Sequence, residues 1–190
     1  ILNDAKELGF KLKLHAEQTA WNGGGELAAE VGAVSADHLD FLSPEAIKQM
    51  KTSGTVGILC PGVTYHLMEF DKHIPVKEMI EGGMAIALAT DYNPGSCRTQ
   101  SMQTILDKAC RLYKMSYAQA INAATINAAY AVSRGEQTGS LHPGKRADIT
   151  IFDCPEHGII VNNFGINHVH TVIKNGEVVV KEGRLEKLAH

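Results

Sequence analysis

The sequence predicts an α/β protein: half of a TIM-like (β/α)8 barrel, followed by a small β-sheet module. Three observations carry this. Four short apolar or alternating runs start near Phe10, Ala33, Thr55 and Met84, with helix-length segments between them. Parallel strands need crossovers of that length. Three of these runs lead into His15, His38 and Asp91, and polar groups gathered at the carboxyl ends of parallel strands mark the active face of a (β/α) barrel. From about residue 136 the chain becomes turn-rich and closes on a hairpin pattern. Four strands are half of the usual eight.

Each element has a local cause. Residues 1–8 read as the end of a helix, with Leu2, Ala5 and Leu8 on one face and Gly9 as its stop. No Met precedes them, so we expect a piece of a longer polypeptide. Residues 10–15 alternate with period two: Phe10, Leu12 and Leu14 on one face, Lys11, Lys13 and His15 on the other. A Gly23-Gly24-Gly25 loop leads into a short helix over 26–31, ended by Gly32. Residues 33–37 form a strand ending at His38. Ser43-Pro44 is a helix start, with Ser43 as N-cap and Pro44 at the first helical position. That helix stops near Gly54. A β-rich run over 55–60 closes on a Pro61-Gly62 turn. A helix over 75–81 ends at Gly82-Gly83, and the strand over 84–89 delivers Asp91.

Beyond the 93–99 loop the spacing predicts a long helix over 101–114 with Ile105, Leu106, Ala109 and Leu112 inward. Ser116 and Gln119 form a capping box that opens the next helix. Residues 125–130 continue it with small side chains. Strands follow at 149–153, 169–174 and 177–180. Asn175-Gly176 joins the last two, because both central residues of a type I′ turn need positive φ. The expected division is 1–135 for the partial barrel and 136–190 for the β module.

Composition narrows the function. Among 190 residues, 44% are hydrophobic, and the formal net charge is −3. That charge is too mild to point to nucleic acid or a membrane surface as partner. Cys60, Cys97, Cys110 and Cys154 are widely spaced, which reads as reduced thiols of a cytoplasmic protein and not as a disulfide framework or zinc cluster. No apolar run approaches the roughly 20 residues of a membrane span.

His15, His38 and Asp91 carry the chemistry. Imidazole nitrogen and carboxylate oxygen suit Zn²⁺ or Fe²⁺ and can activate water. Alone, each has a plain alternative: a hydrogen-bonded strand-end histidine, or an aspartate that caps or turns the chain. A carboxylate ending an apolar strand needs a partner or a metal, and three such groups ending three of four successive strands favour a shared site.

Several segments resemble the imidazolonepropionase family of the amidohydrolase superfamily. They are His15-Ala16-Glu17-Gln18, Ser35-Ala36-Asp37-His38-Leu39, Cys60-Pro61-Gly62 and Asp91-Tyr92-Asn93-Pro94-Gly95. Residues 125–131 and the 139–148 stretch also match, the latter in a form common to many amidohydrolases. The resemblance implies that the four strands are strands five to eight of the barrel and that 136–190 is part of a composite β-sandwich. It implies one divalent metal, zinc or iron, with His15 and Asp91 as ligands. Asp91 would also be the base, and His38 would polarise the scissile carbonyl. Gln18, Asn93, Gly95 and Ser96 would contact the substrate. Glu17 reads equally as a solvated carboxylate. The implied reaction is hydrolysis of the ring C–N bond of 4-imidazolone-5-propanoate, in the cytoplasm, by a homodimer in its full-length form. The family's first-strand His-x-His is absent; His168-Val169-His170 lies in the β module. Cys97-Arg98 departs from the small and proline residues of the family. The alternatives are another amidohydrolase acting on a different ring, or a half-barrel without catalysis of its own.

Overall fold

A computed structural model describes residues 1–186, so the last four residues of the expected 136–190 module lie outside it. In chain order the elements are α1 (Leu2–Glu7), β1 (Lys13–Ala16), α2 (Gly24–Glu30), β2 (Ser35–His38), α3 (Pro44–Ser53), β3 (Val56–Leu59), α4 (Pro61–His66), α5 (Val76–Glu81) and β4 (Ile86–Leu88). Then come α6 (Met102–Leu112), α7 (Tyr117–Ala124), α8 (Ile126–Ala131), β5 (Ile149–Phe152), α9 (His157–Asn162), β6 (Val169–Lys174), β7 (Glu177–Lys181) and β8 (Arg184–Leu185). Strands β1–β4 form one parallel sheet in sequence order, and β5–β8 form an antiparallel sheet in sequence order. No helix of the described residues is long and apolar enough to cross a membrane.

The parallel sheet packs on both faces, although Lys13 and His15 of β1 stay exposed. On one face, Ala16, Ala36, Leu39, Leu59, Ile86 and Leu88 join a core completed by helix residues such as Met50, Met79 and Ile105. Burying one such large side chain stabilises the fold by about 1.5–3 kcal/mol. On the other face a smaller cluster holds Val56, Ile58, Cys60, Ala87 and Cys97, with Ala128 and Ala131 of α8 packed against it. Gly57 allows the close fit of β3: a Cβ there would lie 2.6 Å from Met84 Cε and 3.0 Å from Leu39 Cδ1.

The caps expected from sequence are in place. Ser43 Oγ accepts from Ala46 N at 3.0 Å. Ser116 Oγ accepts from Gln119 N at 3.3 Å while Gln119 Oε1 accepts from Ser116 N at 2.8 Å. The β6–β7 turn has Asn175 at φ 52° and Gly176 at φ 84°, the signs a type I′ turn requires.

Three expectations are corrected, and one element is added. Phe10 is 66% exposed and β1 starts only at Lys13, so the alternating face begins with Leu12. Pro61-Gly62 opens helix α4 instead of a turn; Pro61 is at a first helical position, where its missing N–H costs nothing. Residues 125–130 do not continue α7, because Thr125 (φ −121°, ψ −92°) breaks the helix and α8 starts afresh. Helix α9 was not expected from the sequence. It packs on α6 with Val161 buried, and Arg111 Nη2 donates to Asn162 Oδ1 at 3.2 Å. The β module meets the same helix through Gln103, which donates to Asn167 Oδ1 at 2.9 Å and accepts from His168 N at 3.1 Å.

Candidate active site

The pleat of the parallel sheet assembles the site. Side chains two apart on a strand share a face, and in register His15 pairs with Asp37, Asp37 with Ile58, and Ile58 with Ala87. That row lies on one side of the sheet. Two residues further along, Cys60 and Ala89 continue it, and Asp91 ends it. Together with Lys13 and His38, all of these residues except Ala87 line a pocket of about 280 Å³.

His38 has the opposite parity on β2 and should point into the helix-side core. Its backbone φ of 76°, followed by 63° at Leu39, turns the chain at the strand end. The ring thereby reaches the pocket, with its centroid 4.4 Å from that of His15 at an interplanar angle of 58°. Asp91 is also left-handed, at φ 48°. Such conformations cost about 1–3 kcal/mol each for residues other than glycine and gather at functional sites.

Charge in the pocket is managed by burial. His38 is 6% exposed. Burial, reinforced by neighbouring His15, pushes its pKa below the usual histidine value despite nearby carboxylates. The imidazole is therefore favoured in its neutral form, which retains one N–H donor. Burial raises the pKa of Asp37, partly offset by Lys13. Lys13 Nζ lies 3.7 Å from Asp37 Oδ1, bonds Ser35 Oγ, and donates to Ala131 O at 3.3 Å. Burial and the nearby Asp91 carboxylate push the Cys60 thiol well up, so it stays protonated.

The structure brings His15, His38 and Asp91 together; Gln18, Asn93, Gly95 and Ser96 do not line this pocket. Gln18 is in the loop after β1, where its backbone oxygen accepts from Lys72 at 2.9 Å. The Asn93 amide is spent within its own loop. Its Nδ2 donates to Asp91 O and Ser96 Oγ, both at 2.7 Å, and its Oδ1 accepts from Gly95 N and Ser96 N, both at 2.8 Å. Asn93 thus shapes the turn that carries Gly95 and Ser96. Arg98 secures the same turn by donating to Pro94 O at 2.9 Å, beside a buried Cys97. Glu17 is not solvated: it is 2% exposed, and Oε1 accepts from Gly25 N at 3.3 Å. Burial raises its pKa.

Lys13, Asp37 and Cys60 are the site residues that motif reading passed over. The signal for Lys13 was its shared parity with His15. For Asp37 and Cys60 it was the register, which only the folded sheet supplies.

The donor set fits a divalent zinc or iron ion in kind, since imidazole and carboxylate are among the ligands these metals take. It falls short in number. Among the described residues no group of three or more His, Cys, Asp or Glu side chains is arranged to hold a metal ion.

The amidohydrolase family model matches residues 1–179. The chain belongs to the amidohydrolase family. It is 45% identical over 185 residues to imidazolonepropionase of Streptococcus pyogenes serotype M3 (strain SSI-1), covering 97% of this chain and 44% of that protein. It is 46% identical over 185 residues to imidazolonepropionase of Alkaliphilus oremlandii (strain OhILAs), with the same coverage. The chain therefore spans less than half the length of these curated relatives. Among solved structures it is similar to an adenosine deaminase from Xanthomonas campestris with bound zinc. The TM-score is 0.85 at 20% identity, over 98% of this chain and 49% of that one. Atrazine chlorohydrolase from Arthrobacter aurescens TC1, complexed with zinc, matches with a TM-score of 0.78 at 15% identity, over 97% and 47%. At these identities the likeness speaks for the fold: an amidohydrolase α/β architecture with a parallel sheet.

Proposed function

We propose that this amidohydrolase hydrolyses the ring C–N bond of 4-imidazolone-5-propanoate to N-formimidoyl-L-glutamate, a step of histidine breakdown. The observation that carries the reading is the pocket in which three strand ends deliver His15, His38 and Asp91, in a chain 45% identical to imidazolonepropionase. In this reading residues 1–135 are part of a (β/α)8 barrel, with β1–β4 as its strands five to eight. Residues 136–190 are then part of a composite β-sandwich. The full-length protein would be a cytoplasmic homodimer acting on a small molecule.

The chain's own residues divide the work. Asp91 takes the proton from the attacking water as its oxygen bonds to the ring carbonyl carbon. His38, held neutral by burial, donates its N–H to the carbonyl oxygen as that oxygen gains charge. When the C–N bond breaks, Asp91 returns the proton to the departing nitrogen. Gln18 and the turn of Asn93, Gly95 and Ser96, which do not line the pocket, would contact the substrate from the loops that follow β1 and β4. Held by His15 and Asp91 with donors from outside these residues, a zinc or iron ion would supply Lewis acidity and make the attacking water more acidic.

The test is turnover by the natural polypeptide that carries these residues, with 4-imidazolone-5-propanoate compared against a hydantoin and guanine. Turnover of the first, abolished by a chelator and restored by zinc or iron, is the expected result. Turnover of either other ring in its place would assign a different amidohydrolase. Because the donor set is incomplete, these 190 residues by themselves should bind metal weakly and be inactive; full activity from them would overturn the half-barrel reading.

A further inference from the structure

Lys72 lies in the segment between α4 and α5 and does not line the pocket of His15, His38 and Asp91. An ammonium group has three N–H donors, and here each has an acceptor. Nζ donates to Gln18 O at 2.9 Å, to Asp40 Oδ2 at 2.9 Å and to Glu69 Oε2 at 2.8 Å. The acceptors come from three different segments: the loop after β1, the loop after β2 and the stretch after α4. The side chains are secluded, with Lys72 16% and Asp40 8% exposed. The Phe41 ring covers Nζ from 5.7 Å. Burial works against the Lys72 charge, but the bonds to Glu69 and Asp40 outweigh it and raise its pKa.

The loops that Lys72 joins also carry the site. Gln18 is three residues past His15, and Asp40 two past His38. Both loops leave their strands through left-handed residues, Glu17 at φ 55° and His38-Leu39 at 76° and 63°. Strained backbone persists only where its surroundings over-determine it. Two backbone bonds tie the loops to each other: Leu39 N to Ala16 O at 3.1 Å and Phe41 N to Glu17 O at 3.2 Å. Lys72 is the side chain that clamps the pair from outside.

We propose that Lys72 is a positioning residue that locks the Gln18 and His38 loops in register and so sets substrate affinity, an inference that rests on the imidazolone reading for its choice of substrate. Without its charge, Asp40 and Glu69 face each other with no cation between them, and a buried carboxylate left without its partner is strongly destabilising.

The experiment uses the natural polypeptide with Lys72→Met, and Lys72→Met combined with Asp40→Asn. The second variant removes the stranded charge, which restores stability without restoring the clamp on Gln18 O. In both, kcat/KM for 4-imidazolone-5-propanoate should fall about 10- to 100-fold, mostly through KM, as expected for small misplacements of binding groups. Hydrogen exchange at the Leu39 and Phe41 amides should accelerate in both, while the melting temperature recovers in the double variant. Wild-type KM and exchange in the double variant would show that Lys72 serves stability alone and would overturn the proposal. If the wild-type polypeptide does not turn over this substrate, the functional reading fails by itself, and unchanged exchange at those two amides would then still sink the clamp.

Discussion

In the parallel sheet, β3 and β4 are buried along their whole length, whereas no residue of β5–β8 is fully buried. The two sheets also place their left-handed residues differently. In the antiparallel sheet these are Asn175-Gly176 and Glu182-Gly183, both in tight turns between strands. In the parallel sheet they include His38, Leu39 and Asp91, at strand ends that face the pocket. The parallel sheet holds such residues at its strand ends, whereas the half-open sheet confines them to the tight turns between its strands. The candidate chemistry sits at the rim of the more deeply buried sheet, where His38 is enclosed, Asp91 is half-buried and His15 is exposed.

The sharpest way to break this contrast is to remove the chemistry while leaving the packing alone. Asp91→Asn keeps the shape, and Asn tolerates the left-handed region. It should lower kcat of the natural polypeptide by about 10²–10⁴-fold, the range for loss of a general base, with an unchanged melting temperature. A large stability loss in place of the kinetic one would make Asp91 a structural residue and dissolve the distinction between pocket and core.

A second test compares the two sheets directly. Leu59 on β3 is 0% exposed and Val178 on β7 is 45% exposed. Leu59→Ala should cost about 2–5 kcal/mol by leaving a cavity. Val178→Ala should cost under about 1 kcal/mol, within the span of strand preference. Denaturant unfolding of both variants measures the gap. Equal costs would mean that the antiparallel sheet is as tightly packed in solution as the parallel one.

The same contrast explains what sequence could reveal. Ser43-Pro44, Ser116 with Gln119, and Asn175-Gly176 act through neighbours a few residues away, so their effect is written locally. Asp91 and the two histidines were legible because each ends a run of strand residues. The direction of the His38 side chain was not legible: its parity points away from the pocket, and the left-handed turn at its strand end brings it back. Glu17 misled because a charged residue in a loop is usually solvated, whereas here it is enclosed beside α2. Helix α9 was missed because six residues with one buried side chain leave almost no periodic trace. Lys72 carries no motif at all; its three acceptors span more than fifty residues of sequence and meet only in the fold.

The smallest expected effect probes the looser sheet through a surface carboxylate. Asp148, just before β5, accepts from Lys174 Nζ at 2.7 Å, from Asn175 N at 2.9 Å and from Arg146 Nε at 2.8 Å. The Lys174 bond leads, followed by the Asn175 amide, in holding its pKa well below the ordinary aspartate value of 3.8. As pH falls the unfolded chain takes up this proton first. The stability that Asp148 confers is therefore complete above about pH 4 and is lost as pH drops through its lower native value. Acid should loosen the β6–β7 hairpin, read as faster exchange of the Asn175 amide, before the buried β3 amides respond. Asp148→Asn should loosen that hairpin at neutral pH and remove this part of its acid dependence. Identical acid profiles for the variant and the wild type would show that backbone pairing and the Asn175-Gly176 turn hold the hairpin without the carboxylate, and that the antiparallel sheet depends on side-chain anchors less than its exposure implies.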